Sequence, residues 1–218
     1  MQAFPNTIHN LAPLADPIAY CDAHADELVA RYESVSFEKV HGNITLWLPR
    51  LPASVLDVGA GSGRDANWLA NRGYDVLAVE PSKGLKERGQ RLHLSPRLRW
   101  IDDNLPDLPR VMSIGLRYDF ILLSAVLMFL PPLSQAKSLS TLASLLLPQG
   151  RLVITVRLGP SDPKRGLFAL SEQHLRDLLK FADSLTKRSW SLSEDCFSRH
   201  GVKWVSVVLE QSKPCSNR

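Results

Sequence analysis

Residues 55–65 read Val55-Leu56-Asp57-Val58-Gly59-Ala60-Gly61-Ser62-Gly63-Arg64-Asp65, and residues 76–81 read Val76-Leu77-Ala78-Val79-Glu80-Pro81. The first run is apolar with β-branched residues, ends in a glycine-rich turn and continues into a helix-forming segment. The second run is apolar and ends in a single carboxylate. Short apolar runs bounded by turn residues are typical of buried parallel strands. The two segments therefore predict neighbouring strands whose carboxyl ends lie side by side.

The turn and the carboxylate together predict a site for a nucleoside-bearing ligand. Glycine has no Cβ, so the backbone at Gly59, Gly61 and Gly63 can approach a ligand closely. A helix that begins at such a turn points free N–H groups and the positive end of its dipole at an anionic part of the ligand. Glu80, at the end of the second strand, can accept hydrogen bonds from both hydroxyls of a ribose.

The rest of the chain alternates strands and helices. Apolar runs predict seven strands, at residues 54–58, 75–79, 98–101, 118–124, 151–156, 186–192 and 202–209. Periodicity and capping residues predict helices at residues 20–32, 37–48, 64–71, 83–92, 135–147 and 171–182, after an irregular arm over residues 1–19. This order predicts an α/β fold with a doubly wound, mostly parallel sheet and helices on both faces. The last two strands have no room for a crossover helix, so one strand near the edge should run antiparallel.

The composition is that of an ordinary globular domain. A chain of 218 residues with 44% hydrophobic and 22% charged residues fits one domain with a full core. The cysteines, Cys21, Cys196 and Cys215, show no metal-ligand spacing and favour a reducing, cytoplasmic setting. Residues 1–20 do not form a secretory signal, and no apolar run is long enough to cross a membrane. We therefore expect no metal site and no membrane partner.

The net charge of +4 is unevenly distributed. Residues 1–63 carry three Lys and Arg against seven Asp and Glu, whereas residues 151–218 carry twelve against seven. A basic C-terminal third can attract nucleic acid or an anionic small substrate, or it can be only a solvated surface. The sequence contains no cluster of basic residues interleaved with aromatic ones, which is the pattern that would favour a nucleic-acid partner.

Two classes of nucleoside-bearing cofactor fit a glycine turn on such a sheet. Dinucleotide-binding proteins use G-x-G-x-x-G, in which the third glycine lets helix and strand pack closely. This chain has Gly59-x-Gly61-x-Gly63, and Arg64 stands where that third glycine would be, which weakens the dinucleotide reading. There is also no G-x-x-x-x-G-K-[ST] loop for a nucleoside triphosphate.

Five segments between residues 54 and 156 resemble the motifs of class I S-adenosylmethionine-dependent methyltransferases, in the order and spacing of that family. They are Asp57–Gly63, Val79–Ser82, Ile101–Pro106, Leu122–Pro132 and Leu147–Leu152. The resemblance implies a single methyltransferase domain over residues 1–218. Residues 1–50 would form an arm with lid helices, 51–157 the cofactor-binding half and 158–218 the substrate-side half.

The resemblance also implies which residues bind S-adenosylmethionine. They are Asp57, Gly59, Ala60, Gly61, Gly63, Glu80, Pro81, Asp102, Asp103, Ser124 and Ala125. Glu80 would take the ribose hydroxyls, and Asp57 would orient the turn or reach the ammonium group. Either Asp102 or Asp103 would meet the adenine amino group, and the motif leaves open which. A carbonyl of Ser124 or Ala125 would face the sulfonium.

The residues that would bind the methyl acceptor are different from these cofactor-binding positions. Tyr20, Arg31, Phe129 and Arg157 are the candidates for binding it. Similar enzymes often carry a histidine where this chain has Phe129, so no catalytic base is assigned and transfer would depend on proximity and orientation. Arg157 can clamp a carboxylate or phosphate, or it can pair with Asp162 or with the acids of the N-terminal segment.

We therefore expect an enzyme that methylates O or N of a small molecule, as a monomer or a homodimer. Two alternatives stay open. The first is an RNA or protein methyltransferase that docks its substrate on the basic C-terminal third. The second is a protein that binds S-adenosylmethionine without catalysis.

Overall fold

A computed structural model of the chain describes residues 15–212. Its sheet has seven strands: β1 (Ser54–Val58), β2 (Asp75–Val79), β3 (Leu98–Ile101), β4 (Tyr118–Ser124), β5 (Leu146–Leu158), β6 (Leu185–Glu194) and β7 (Lys203–Gln211). The α-helices are α1 (Pro17–Ala23), α2 (Ala25–Glu33), α3 (Phe37–His41), α4 (Arg64–Ala70), α5 (Lys83–Leu92), α6 (Pro109–Ile114), α7 (Pro132–Ser144) and α8 (Glu172–Leu178). Short 3₁₀ helices lie between these elements, at Gly42–Trp47, Leu127–Phe129, Pro163–Arg165 and Leu179–Phe181.

The strand order is β3-β2-β1-β4-β5-β7-β6. Pairs from β3 through β5 are parallel, and β7 pairs antiparallel with both β5 and β6. The predicted fold class is therefore confirmed, and the antiparallel strand is β7, one place in from the edge. The order reverses between β1 and β4, which leaves a crevice at their carboxyl ends where open α/β sheets bind ligands.

Two apolar layers hold the sheet, one on each face. In β4, Phe120 and Leu122 point to one face, and Ile121 and Leu123 point to the other, and all four side chains are fully buried. The first face is covered by α3, the 3₁₀ helix after it and α4; the second is covered by α6, α7 and α8. Burial on both faces explains why β4 reads as a continuous apolar run rather than an alternating one.

Several helix predictions are corrected by the structure. The single helix predicted at residues 20–32 is two helices, because His24 leaves the helical conformation at φ −115° and ψ 21°. Its first helix begins at Pro17, capped by the Asp16 side chain, so the predicted irregular arm ends earlier; residues 1–14 of that arm lie outside the described residues. The helix predicted at residues 37–48 becomes 3₁₀ from Gly42, where glycine and β-branched residues disfavour a regular helix.

Other boundaries shift by a few residues. Helix α6 was not predicted, because its six residues are too few to show a period. Helix α7 begins three residues before the predicted start, with a proline in its first turn, and ends at Ser144. Strand β5 begins at Leu146 rather than at residue 151, since the segment around Pro148 joins the sheet through an irregular register with β4. The helix predicted at residues 171–182 ends as an α-helix at Leu178.

Across residues 15–212, no helix combines the length and apolarity that a membrane crossing requires.

Candidate functional site

The turn after β1 has a shape that requires glycine. Gly59 and Gly61 have φ values of +73° and +59°, in the left-handed region that other L-residues avoid. The N–H groups of Gly59 and Ala60 both donate to the carbonyl oxygen of Val79, at 2.8 and 2.9 Å. A Cβ added to Gly59 would overlap the Cγ2 atom of Val126. The turn is therefore fixed between the end of β2 and the loop that follows β4.

A cleft of about 240 Å³ opens where β1, β2 and β4 end, and we call it the strand-end cleft. The structure brings most of the predicted cofactor residues together in its wall: Asp57, Gly59, Ala60, Gly61, Glu80, Pro81, Asp103, Ser124 and Ala125. Gly63 and Asp102 do not line it. Gly63, at φ +84°, precedes α4, and a Cβ there would stand 2.6 Å from the Trp100 ring, so its role is close packing.

Glu80 is buried at the end of β2 and is held by the backbone. Its Oε2 accepts the N–H of Gly61 at 2.7 Å, and its Oε1 accepts the N–H of Ser82 at 2.8 Å. Burial raises the pKa of this carboxyl to about 7, and the two backbone hydrogen bonds limit that rise. A carboxylate has about four acceptor positions, so two remain for a ligand in the cleft.

Asp57 is buried at the other side of the turn with one oxygen unsatisfied. Its Oδ2 has no hydrogen-bond partner within residues 15–212. Burial, followed by the nearby charge of Asp65, raises the pKa of Asp57 well above its usual value. A buried carboxylate without a partner is costly, and a cationic ligand group would relieve that cost. This oxygen therefore fits an ammonium group placed beside the turn.

The segment after β3 presents Asp103 to the cleft and Asp102 to solvent. Asp102 is half exposed, and its carboxylate lies 3.4 Å from the Nζ of Lys86. The two oxygens of Asp103 accept the backbone N–H groups of Asn104 and Val111, at 3.0 and 2.8 Å. Asp103 thus holds the loop in shape, and Asn104 and Leu105 line the cleft beside it.

Ser124 and Ala125 end β4 at the middle of the site. Ser124 Oγ lies 3.0 Å from Thr155 Oγ1 on β5, and the N–H of Ala125 donates to the Thr155 carbonyl at 2.9 Å. Ala125 adopts φ +59°, so the chain turns sharply there. This turn directs the backbone of Ser124 and Ala125 toward the strand-end cleft.

His41 belongs to a buried charged cluster behind Ser124. A histidine in such a polar segment is expected to be exposed, but the His41 side chain is fully buried. His41 Nε2 lies 2.8 Å from Asp65 Oδ2 and 3.4 Å from Ser124 Oγ. Burial alone would raise the pKa of Asp65, but contacts with His41 and with the Arg64 guanidinium outweigh it and hold that pKa below its usual range. Arg64 also donates to the carbonyl of Tyr32 at 3.1 Å, which ties α2 to α4.

The two N-terminal helices are fastened over the cleft by carboxylates. Asp22 of α1 accepts hydrogen bonds from Ser82 Oγ at 2.6 Å and from the N–H of Gly84 at 2.8 Å. Glu33 of α2 accepts from Ser62 Oγ at 2.5 Å, inside the glycine turn itself. Helices α1 and α2 therefore contact the glycine turn and the start of α5, beside the strand-end cleft.

A second cavity, of about 640 Å³, adjoins the first, and we call it the outer chamber. Five residues line both cavities: Tyr32, Arg64, Ser124, Ala125 and Phe129. Of the predicted acceptor residues, Arg31, Phe129 and Arg157 line the outer chamber. Tyr20 lines neither cavity; its ring stacks on His24 with centroids 4.1 Å apart, and the Arg165 guanidinium lies over that ring at 5.9 Å.

Several residues of the site were not among those predicted to bind a ligand. Tyr32 lines both cavities, Ser62 and Asn104 line the cleft, and Arg165 lines the outer chamber. Ser62 and Asn104 lie inside motifs and could have been found there. Tyr32 and Arg165 reach the site through folding of distant segments. Within the described part of the chain, no group of three or more His, Cys, Asp or Glu side chains could hold a metal ion.

Comparison with known proteins identifies the arrangement. A family model described as a methyltransferase domain matches residues 32–203. A comparison with curated proteins gives no match.

Solved structures share the fold at low sequence identity. A magnesium protoporphyrin IX methyltransferase from Synechocystis with bound SAM is 18% identical, with a TM-score of 0.67 over 93% of this chain and 100% of that one. The N-methyltransferase NodS from Bradyrhizobium japonicum, in complex with S-adenosylhomocysteine, is 14% identical, with a TM-score of 0.66 over 91% and 100%. A 1,6-didemethyltoxoflavin-N1-methyltransferase from Burkholderia thailandensis is 20% identical, with a TM-score of 0.57 over 97% and 99%.

The glycine turn generates a stability prediction. Gly59→Ala should lower the free energy of unfolding by about 2–4 kcal/mol, because it combines overpacking against Val126 with a left-handed φ. Two controls separate these causes. Gly201→Ala has φ +69° but open space around its Cβ, so it should lose only the conformational part. Gly42→Ala has neither problem and should be neutral or slightly stabilising. Urea unfolding of the three variants measures the order, and equal losses at Gly59 and Gly201 would contradict the packing argument.

Proposed function

The chain belongs to the family of methyltransferase domains, and on that premise we propose that it is a class I enzyme that transfers a methyl group from S-adenosylmethionine to O or N of a small-molecule acceptor. The observation that carries the proposal is the pair of buried carboxylates, Glu80 and Asp57, on either side of a glycine turn. One has free acceptor positions beside backbone N–H groups, and the other has an unsatisfied oxygen. Ribose hydroxyls can donate to the free acceptor positions of Glu80, and an ammonium group can donate to the unsatisfied oxygen of Asp57.

The residues of the strand-end cleft fit this cofactor part by part. Glu80 would accept the two ribose hydroxyls, and Asp57 would pair with the ammonium of the methionine part. Asn104 and Leu105 would lie along the adenine, with Asp103 shaping their loop. A carbonyl of Ser124 or Ala125 would face the sulfonium. When bound, S-adenosylmethionine supplies an electrophilic methyl group.

The chain's contribution to transfer would be position and exclusion of water. The five residues shared by the two cavities mark where an acceptor in the outer chamber meets the strand-end cleft. Phe129 stands there and cannot take a proton, so it would act as an apolar surface for the acceptor. Holding the acceptor in line can supply much of the barrier reduction. The lid helices, fastened through Asp22 and Glu33, would keep water out.

Two observations support a small acceptor over a macromolecule. The names of the related structures describe methyltransferases of a porphyrin and of a toxoflavin precursor. Many basic residues of the C-terminal third are also engaged with acids rather than free for a nucleic acid. The pairs are Arg176 with Glu172, Lys180 with Asp177, Arg188 with Glu210 and Lys203 with Glu194.

We also propose the domain organisation and the cellular setting of the enzyme. Residues 1–218 would act as one domain, divided as the sequence predicts into lid, cofactor-binding and substrate-side parts. Cys21 and Cys196 are free thiols, which supports a reducing, cytoplasmic setting. Cys215 lies outside the described residues.

The proposed reaction predicts where a labelled methyl group will go. The protein, incubated with methyl-labelled S-adenosylmethionine and a cell extract, should place label in the low-molecular-weight fraction. The same preparation of Glu80→Gln should transfer little. Label found in RNA or protein instead would contradict a small acceptor, and cofactor binding without any transfer would support the non-catalytic alternative.

The cofactor assignments predict a contrast between carboxylates. Glu80→Gln and Asp57→Asn should each weaken binding of S-adenosylhomocysteine at least tenfold, because hydrogen bonds to charged groups contribute about 1.5–3 kcal/mol. Asp102→Asn is the matched control, since that carboxylate faces solvent and pairs with Lys86, and its affinity should stay within about twofold. Calorimetry measures all three. A large loss at Asp102 would assign it to the adenine after all.

The raised pKa of Glu80 predicts pH-dependent binding. With a pKa of about 7 in the free protein, the carboxylate form is depleted as pH falls through that value. The form that accepts ribose hydroxyls is present in about nine molecules in ten at pH 8 and about one in ten at pH 6. Affinity for S-adenosylhomocysteine should therefore fall about tenfold from pH 8 to pH 6. In Glu80→Gln the part of this dependence due to Glu80 should be lost, while the contribution of Asp57, whose pKa is also raised, should remain. An unchanged slope in that variant would exclude Glu80 as a source of the dependence.

A further inference from the structure

The outer chamber carries an unbalanced positive charge. Six Lys and Arg side chains line it, against three carboxylates. Each of those carboxylates already has a cationic partner. The pairs are Glu38 with Arg72 at 3.1 Å, Glu194 with Lys203 at 3.6 Å and Asp195 with Arg199 at 2.6 Å. Three of the six cations are also paired, Arg31 with Glu27, Arg64 with Asp65 and Arg199 with Asp195. The excess positive charge of the wall therefore lies on Lys39, Arg157 and Arg165.

Two arginines of the wall stand without an anion. Neither Arg157 nor Arg165 has a carboxylate oxygen within 4.0 Å among residues 15–212. The Nε of each is buried and has no hydrogen-bond acceptor in that range. Arg157 donates from its Nη1 to the carbonyl of Pro160 at 2.9 Å, and the predicted pairing with Asp162 is not formed. The residues outside that range contain neither Asp nor Glu, so they hold no side-chain carboxylate that could pair with these arginines.

Buried N–H groups of a guanidinium are costly when they have no acceptor. Burial, followed by the charges of Arg199 and Arg165, lowers the pKa of Arg157, so its surroundings disfavour the cation as they stand. Native proteins rarely leave such groups without a partner, whether that partner is a protein group, an ordered water or a bound ion. Guanidinium groups match the planar, two-oxygen geometry of carboxylate and phosphate.

The strand register places Arg157 near the point where the two cavities meet, and Arg165 lines the same chamber. Thr155 pairs with Ser124, at the meeting of the two cavities, with their hydroxyl oxygens 3.0 Å apart. Arg157 lies two residues farther along β5 and on the same face as Thr155. At about 3.3 Å of rise per residue, its Cα is about 7 Å from that of Thr155. That distance is similar to the length of one substituted aromatic ring.

We propose that the methyl acceptor carries a carboxylate or phosphate group, held by Arg157 and Arg165, and an apolar body that packs against Phe129. This inference rests on the proposed methyltransferase function and names the chemical class of its acceptor. Arg165 was not among the predicted acceptor-binding residues. For Arg157, the proposal favours the anion clamp over pairing with Asp162 or with the acids of the N-terminal segment.

Three small probes test the proposal without knowledge of the natural acceptor. Benzoate, phenyl phosphate and neutral benzamide share one ring and differ in charge. Titrated into the protein saturated with S-adenosylhomocysteine, the better of the two anions should bind at least tenfold more tightly than benzamide. The comparison of benzoate with phenyl phosphate assigns the site to a carboxylate or a phosphate. Equal binding of benzamide and both anions would overturn the proposal.

Variants then locate the anion. Arg157→Gln and Arg165→Gln should each weaken binding of the preferred anion at least tenfold and leave benzamide unchanged. Lys164→Gln is the matched control, because Lys164 is exposed beside Arg165 and does not line the chamber. An equal loss in Lys164→Gln, or no loss in either arginine variant, would overturn the assignment.

Binding of S-adenosylhomocysteine, measured first on every sample, separates the two failures. If it binds and the anions show no preference, the acceptor class is wrong and the methyltransferase proposal stands. If it does not bind to the unaltered chain, the proposed function is wrong, and the same three titrations on the free chain still decide whether Arg157 and Arg165 form an anion site.

Discussion

Two backbone N–H groups, of Gly59 and Ala60, share the carbonyl oxygen of Val79, and the site depends on this contact. It ties the turn after β1 to the last residue of β2, so Glu80 follows directly beside the turn. Glu80 can then accept the N–H of Gly61 while it remains buried. The contact demands left-handed backbone at Gly59, where Val126 leaves no space for a Cβ. One hydrogen-bonding constraint therefore selects the glycine and positions the carboxylate.

The elements whose structure is decided by neighbouring residues in the chain could be predicted from the sequence. The strands and the cofactor half are of this kind, because a buried parallel strand needs a continuous apolar run and a strand-to-helix turn needs glycine. β4 illustrates this, since its predicted bounds, residues 118–124, are the observed ones. Short elements were missed, as at α6, because six residues show too little of a helical period.

Side-chain environments that depend on distant partners could not be predicted. His41 reads as an exposed histidine in a polar segment, yet it is buried against Asp65, twenty-four positions farther along the chain. Asp102 and Asp103 are equivalent in sequence, and their directions differ because the N–H of Val111 captures Asp103. In both cases a backbone or side-chain group from another element decides the outcome, and neighbouring residues carry no signal of it.

The two cavities also differ in whether local or distant parts of the chain form them. This difference bears on how such a domain acquires a substrate. The strand-end cleft is built largely from motifs that each occupy one turn at a strand end. The outer chamber is assembled from α2, the ends of β5 and β6 and the 3₁₀ segment that holds Arg165. Its charge is a sum over segments that are separated in sequence, so substitution in any one of them changes the chamber without disturbing the Val79 contact. The methyl donor is thus fixed by backbone geometry, whereas the acceptor depends on which of these side chains are left unpaired.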